Sequence, residues 1–198
     1  MTQAIELKVL VEGYVRQENG VEYASSTAIL IKQGNLNVLV DPGSNYNYLR
    51  AALIKDGLSS LSINFVVLTH YHLDHCLLAG MFTTAKVLDN SEIYAWDSSI
   101  RSHVGKVPGT DIKLISTPGH DPFHCSVLVK TKEFGRVAIA SDVFWWPDNQ
   151  KQKTDKQSLL NLKDPYVKNK ADLLASRKKI WGLADWIVPG HGKMFKVK

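Results

Sequence analysis

This chain is poor in sulfur. Two cysteines, Cys76 and Cys125, stand among 198 residues. They are too few for the disulfide framework that staples small secreted domains. Cys76 reads instead as a small buried residue at the start of a helix. Hydrophobic runs are short, and none approaches the roughly 18 residues of a membrane span, so no membrane partner is expected. The start, Met1-Thr2-Gln3-Ala4, lacks the basic-then-apolar pattern of a secretory signal, which makes the expected location cytoplasmic. No internal repeat or low-complexity stretch is visible. What remains, with 44% hydrophobic and 22% charged residues, is ordinary for a globular protein. The reading is one domain over 1–198 with a full core and no C-terminal substrate domain.

Charge is unevenly spread. The formal net charge is +5. Between Lys151 and Lys179 nine Lys/Arg stand against three Asp/Glu, a local +6, so the rest sums to about −1. Such a run is either a solvated helical face or the footprint of an anionic substrate such as RNA.

Hydrophobic patterning gives the elements. Ile5 to Val11, Tyr23 to Ile31 and Leu36 to Val40 read as successive strands, with Gly34-Asn35 turning the second into the third. Tyr46 to Asp56 reads as a helix with apolar positions at 49, 53 and 54, stopped by Gly57. Phe65 to Leu68 is short and wholly apolar, as a central buried strand is. Lys86 to Leu88, Ile112 to Ile115, Cys125 to Lys130 and Arg136 to Ala140 are further strands. Lys168 to Trp181 reads as a helix with Val167, Ala171, Leu174 and Trp181 on its apolar stripe, and Trp186 to Val188 as a last strand. Strands, a helix, more strands, then helices and a strand make mixed sheets covered by helices. That is an α+β fold, a four-layer αββα sandwich.

One hexapeptide stands out: His70-Tyr71-His72-Leu73-Asp74-His75, directly after the apolar run. Three of the chain's seven histidines fall in it. Imidazoles fill cores poorly and repel one another when charged, so the crowding has no packing rationale. Metal binding supplies one, because neutral imidazole and carboxylate are good ligands for zinc. Further donors sit at strand ends beside turn residues: His120 after Pro118-Gly119, Asp142 after Ser141, and His191 after Pro189-Gly190. Proline and glycine fix tight turns and so can hold a following histidine at a set angle.

Taken together and in this order, these residues resemble the metallo-β-lactamase superfamily, whose motif is His-x-His-x-Asp-His followed by a histidine, an aspartate and a histidine. The likeness runs from Leu39-Val40-Asp41-Pro42-Gly43 to His191-Gly192, nearly the whole chain. Carried over by position, it implies His70, His72 and His120 on a first metal, Asp74, His75 and His191 on a second, and Asp142 between them. It implies two zinc ions, with iron or manganese also suited to nitrogen and oxygen donors. A hydroxide shared by the two ions is then the expected nucleophile, oriented by Asp74. Asp41 is expected behind a ligand histidine, fixing its tautomer. The carboxylate at Asp142, where the antibiotic-degrading branch usually has cysteine, points away from β-lactam hydrolysis.

His124 is expected near the site rim, where it can donate to a substrate oxyanion. His103 falls outside the pattern. Two loops are candidates for substrate contact. One runs from Ser91 to Thr110, with Tyr94, Trp96, Arg101 and Lys106. The other is Phe144-Trp145-Trp146-Pro147-Asp148, where one tryptophan of a strand pair would face the site and the other the core; its apolar run could equally be an interface of a homodimer. Three functions follow. The first is a hydrolase for esters, thioesters, lactones or phosphodiesters. The second is an endoribonuclease, which RNA-cleaving members of the superfamily and the basic segment favour. The third is a metal-binding or interaction protein without turnover.

Overall fold

The computed structural model describes residues 3–197. In chain order the elements are β1 (Ile5–Val11), β2 (Tyr14–Glu18), β3 (Val21–Ser25), β4 (Ala28–Gln33), β5 (Leu36–Val40), α1 (Tyr46–Lys55), β6 (Phe65–Val67), α2 (Leu73–Cys76), β7 (Lys86–Leu88), β8 (Glu92–Tyr94), β9 (Ile100–Ser102), β10 (Lys113–Ser116), β11 (Cys125–Thr131), β12 (Gly135–Ser141), α3 (Lys156–Leu160), α4 (Lys170–Leu183), β13 (Trp186–Pro189) and β14 (Phe195–Lys196). No helix among the described residues is long and apolar enough to cross a membrane.

Alternation along the strands builds the layers. Ile29, Ile31, Val38, Val40, Phe65 and Val67 point into one apolar layer, which they share with Val127, Val129, Val137, Ile139 and Val188. Their neighbours Leu30, Leu39, Val66 and Leu68 point the other way and pack on Leu49 and Leu53 of α1. In the later strands Ala138, Ala140 and Ile187 pack outward on Leu159, Leu173 and Ile180 of the last two helices. Side chains of a strand alternate faces, so strands buried on both sides read as unbroken apolar runs. Three apolar layers between four layers of structure make the expected αββα sandwich.

The two sheets repeat one pattern. In the first, β1–β4 and β4–β5 are antiparallel and β5–β6 parallel. In the second, β10–β11 and β11–β12 are antiparallel and β12–β13 parallel. The leaves join through a single ladder pair, Ile5 with Thr131. At the opposite edge lie the carboxyl ends of β5, β6, β12 and β13, where open α/β sheets place ligands.

Some expectations need correction. The run Tyr23 to Ile31 is two strands. At the break Ser26 N donates to Asp74 O (2.9 Å) and Thr27 N to Gly190 O (2.7 Å), so the backbone leaves its ladder to brace the site. β3 pairs instead with β2, an unforeseen strand. Their turn is Asn19-Gly20, both at positive φ (52° and 78°), the chemistry of a tight hairpin. The stripe on α4 is also displaced: Leu173, Ser176, Arg177 and Ile180 are buried, while Leu174 is exposed. On α1, Ile54 is exposed beside buried Leu49 and Leu53. Cys76 ends α2 rather than starting a helix, and is half-buried.

Candidate metal centre

All seven expected donors converge. They form two groups, His70, His72, His120 and Asp142 in one and Asp74, His75 and His191 in the other; within each group the donor atoms lie within 4.8 Å of one another. β6 ends at the hexapeptide, which turns at once into α2. The turns after β10, β12 and β13 deliver His120, Asp142 and His191. Two glycines permit this closeness. A Cβ on Gly190 would sit 1.8 Å from Asp142 Oδ1, and one on Gly119 would sit 2.2 Å from the Leu173 backbone of α4. Only glycine lets the Asp142 carboxylate and the His120 turn seat where they do.

Asp142 stands between the groups. Its Oδ2 lies 3.3 Å from His120 Nε2 and 3.9 Å from His70 Nε2. Its Oδ1 lies 3.3 Å from His75 Nε2 and 3.7 Å from His191 Nε2. His191 Nε2 is 3.2 Å from Asp74 Oδ2, and His120 Nε2 is 3.1 Å from His72 Nδ1. Ligands about 2.0–2.1 Å from a tetrahedral ion are spaced by roughly 3.4 Å, so these separations suit donors that share a cation. His70 Nε2, His75 Nε2 and Asp142 Oδ1 are buried and have no hydrogen-bond partner among the described residues. Buried polar atoms without partners are costly, and a metal ion is what three such donors fit.

The outward nitrogens are tied down. His75 Nδ1 faces Asp41 Oδ2 at 2.9 Å, His120 Nδ1 faces Asp164 Oδ2 at 2.7 Å, and His191 Nδ1 faces the Ser25 carbonyl at 3.1 Å. Each acceptor keeps a proton on Nδ1 and leaves the Nε2 lone pair facing inward. His70 Nδ1 lies 3.1 Å from Thr69 Oγ1. Asp41 is itself fixed: Thr69 donates to it from N and Oγ1 (2.9 and 2.7 Å) and Ser141 from Oγ (3.0 Å). Asp41 and Ser141 both hold positive φ, 46° and 50°, strained backbone for residues other than glycine.

Charges are coupled accordingly. Burial alone would push the Asp142 carboxyl up, yet the imidazoles of His75, His191 and His120 hold it well below the usual carboxylate range. Asp74 is lowered too: burial opposes ionisation, but the adjacent imidazoles of His191 and His75 outweigh it. Burial favours neutral His75, but Asp142 and Asp41 raise its pKa well above that of a free imidazole. A metal cation entering the site competes with that proton.

The family of the chain follows from comparison with known proteins. The profile of the metallo-beta-lactamase superfamily matches residues 23–98. Metallo-beta-lactamase domain-containing protein 1 of Xenopus laevis is 31% identical over 197 residues, covering 96% of this chain and 80% of that protein. This chain belongs to the metallo-beta-lactamase superfamily. The human protein of the same name is 31% identical over 169 residues, and the match spans 59% of its length. A solved structure of metallo-beta-lactamase type from Thermotoga maritima superposes with a TM-score of 0.74 at 21% identity, covering 98% of this chain and 99% of its own.

Within this superfamily fold, three expectations fail. His124 is not at the rim. It is fully buried behind His70, ring centroids 5.0 Å apart, with Nδ1 3.0 Å from Thr117 Oγ1. Burial pushes its pKa down to about 3, and it is not among the residues that line the cavity over the donors. The segment 91–110 supplies no side chain to the cavity over the donors: Trp96 Nε1 donates to the Phe82 carbonyl, the Tyr94 hydroxyl lies within hydrogen-bond distance of Glu92 and Asp89, and Lys106 pairs with Asp111. Phe144-Trp145-Trp146 is wholly buried, so it is not an exposed interface, and it follows β12 as irregular chain rather than as a strand. Trp146 packs on Phe195, while Trp145 stands edge-on to His191 with centroids 6.0 Å apart.

Sequence reading missed Asp164, Tyr166 and Arg177. Asp164 and Tyr166 lie on the loop between the last two helices, inside the basic segment. Asp164-Pro165 signals a turn, but a turn alone does not point to a site; only a carboxylate amid lysines hints at a specific partner. Arg177 belongs to the same run yet is buried. Its guanidinium donates to the carbonyls of Val143 (3.1 Å), Leu162 (2.7 Å) and Leu160 (3.5 Å). It thus ties the residue after Asp142 to the loop that carries Asp164.

Proposed function

We propose that the chain is a metal-dependent hydrolase with two ions, zinc by donor type. Asp142, its two oxygens divided between two groups of histidines, carries this reading. When bound, such ions polarise the attacked carbonyl or phosphoryl oxygen and acidify a water to supply the nucleophile. Asp142 and the buried imidazoles would hold the ions, and the outward acceptors keep the lone pairs aimed. Asp74 orients the attacking water and takes its proton. It suits this role because its side chain is one-quarter exposed, unlike the 6% of Asp142, and because it stays ionised. The endoribonuclease alternative draws on RNA-cleaving members of the superfamily and on the basic segment, and that segment supplies no side chain to the cavity over the donors other than Tyr166.

Purified protein should hold two equivalents of zinc by elemental analysis, or take them up after reconstitution. It should hydrolyse at least one of bis-p-nitrophenyl phosphate, a p-nitrophenyl ester and a lactone panel, and lose that activity with a chelator. Asp74→Ala should reduce turnover by about a hundredfold. A protein that takes up no metal overturns the reading.

A further inference from the structure

We propose that this site selects compact acyl substrates, esters, thioesters or lactones, whose remaining part is apolar and uncharged, and that it discriminates against anions, including nucleic-acid strands. This rests on the hydrolase reading and names its substrate class. The cavity over the donors has a volume of about 390 Å³, the size of a small-molecule site. Among the described residues, and apart from the donors, it is lined by Val15, Ala24, Leu73, Trp145 and Tyr166, with Glu22 as the one further charged group and no lysine or arginine. A groove for a phosphodiester strand needs cations along its length; here the wall is apolar and its one extra charge is negative.

The wall also reaches both donor groups. The Trp145 and Tyr166 rings lie 5.9 Å apart and tilted by 31°. Trp145 meets His191 of the second group, and Tyr166 stands edge-on to His72 of the first at 6.4 Å. Leu73 and Tyr166 remain 69% and 51% exposed, so apolar area at the mouth stays wet until a ligand covers it. The reacting oxygen belongs to the donors; the aromatic pair and Leu73 read what is attached to it. Glu22, on the β2–β3 hairpin, repels a carboxylate or phosphate there.

Three hydroxamates with the same metal-chelating head test this, with tails ending in a butyl group, a carboxylate or a quaternary ammonium. Their affinities are measured by calorimetry on zinc-loaded wild type, Glu22→Lys and Tyr166→Ala, with zinc content determined in parallel. The butyl tail should bind at least about tenfold more tightly than the carboxylate tail, since each buried methylene is worth a few-fold. Glu22→Lys should close that gap by improving the carboxylate tail alone. Tyr166→Ala should weaken the butyl tail several-fold at unchanged zinc content. Equal or tighter binding of the carboxylate tail overturns the inference, as does displacement of the butyl hydroxamate by single-stranded RNA at physiological salt. If wild type holds zinc but these preferences are absent, the hydrolase reading stands without this one. If it holds no zinc and binds none of the three, both fall.

Discussion

His75 and His191 are held from inside the fold, whereas His120 is held from a surface loop. Behind the second donor group stand Asp41, itself fixed by Thr69 and Ser141, and the Ser25 carbonyl. Behind the first stand Asp164, on the loop between α3 and α4, and the Thr69 hydroxyl. His72 is only half-buried. Ligand orientation is as firm as the partner that sets it. The second group is therefore the more rigid half, and the first is the half that can adapt. The cavity wall follows the same division, since Tyr166 lies two residues past Asp164 on that loop.

Asp142→Ala breaks the comparison altogether, because Asp142 serves both halves. It should lose both ions in dialysis followed by elemental analysis, and turnover should drop at least about a hundredfold. Retention of one ion at full affinity would show that the carboxylate serves only one side. Asp41→Asn should weaken one of the two binding steps by roughly 10–100-fold in chelator competition, leaving the other nearly intact. Asp164→Asn should weaken the opposite step by about tenfold, the smaller change because its loop can yield. Should both variants impair the same step, the two halves are not independent. Arg177→Met should change metal affinity least. It leaves the carbonyls of Val143, Leu160 and Leu162 short of donors, and should lower stability by about 2 kcal/mol or more in urea unfolding. An unchanged midpoint would remove Arg177 from the support of that loop.

Much of this was legible in the sequence, for a physical reason. Donors must be histidine or aspartate, must leave strand ends, and are crowded where packing gives no motive. The hexapeptide carries all three marks, and Pro118-Gly119-His120 and Pro189-Gly190-His191 carry the first two beside turn residues that fix them. Continuous apolar runs also gave the central strands, because burial on both faces removes alternation. What stayed hidden depends on contacts far apart in sequence. Asp164 lies 44 residues from the His120 it holds, and a lone carboxylate in a basic run looks the same whether it faces water or an imidazole. Arg177 was counted among surface cations, although its partners are backbone carbonyls, which have no sequence signature. The face of α4 slipped because its buried positions include Ser176 and Arg177, polar residues no hydrophobic pattern selects. His124 was misplaced because nearness in sequence to His120 says nothing of which side of the sheet end it takes. The β2–β3 hairpin alone had a usable signal, Asn19-Gly20.

Asp41 and Ser141 close the strands β5 and β12, which occupy matching places in the two leaves, and they meet in a hydrogen bond of 3.0 Å. Each holds a left-handed backbone that costs of order 1–3 kcal/mol. A leaf folding by itself would carry that cost without the contact that offsets it. Neither half of the chain is then a stable intermediate, and unfolding followed by fluorescence and by circular dichroism should show one coincident transition. A fold built of two like halves, joined along its seam by one ladder pair, thus behaves as a single cooperative unit because each half completes the other's weakest residue.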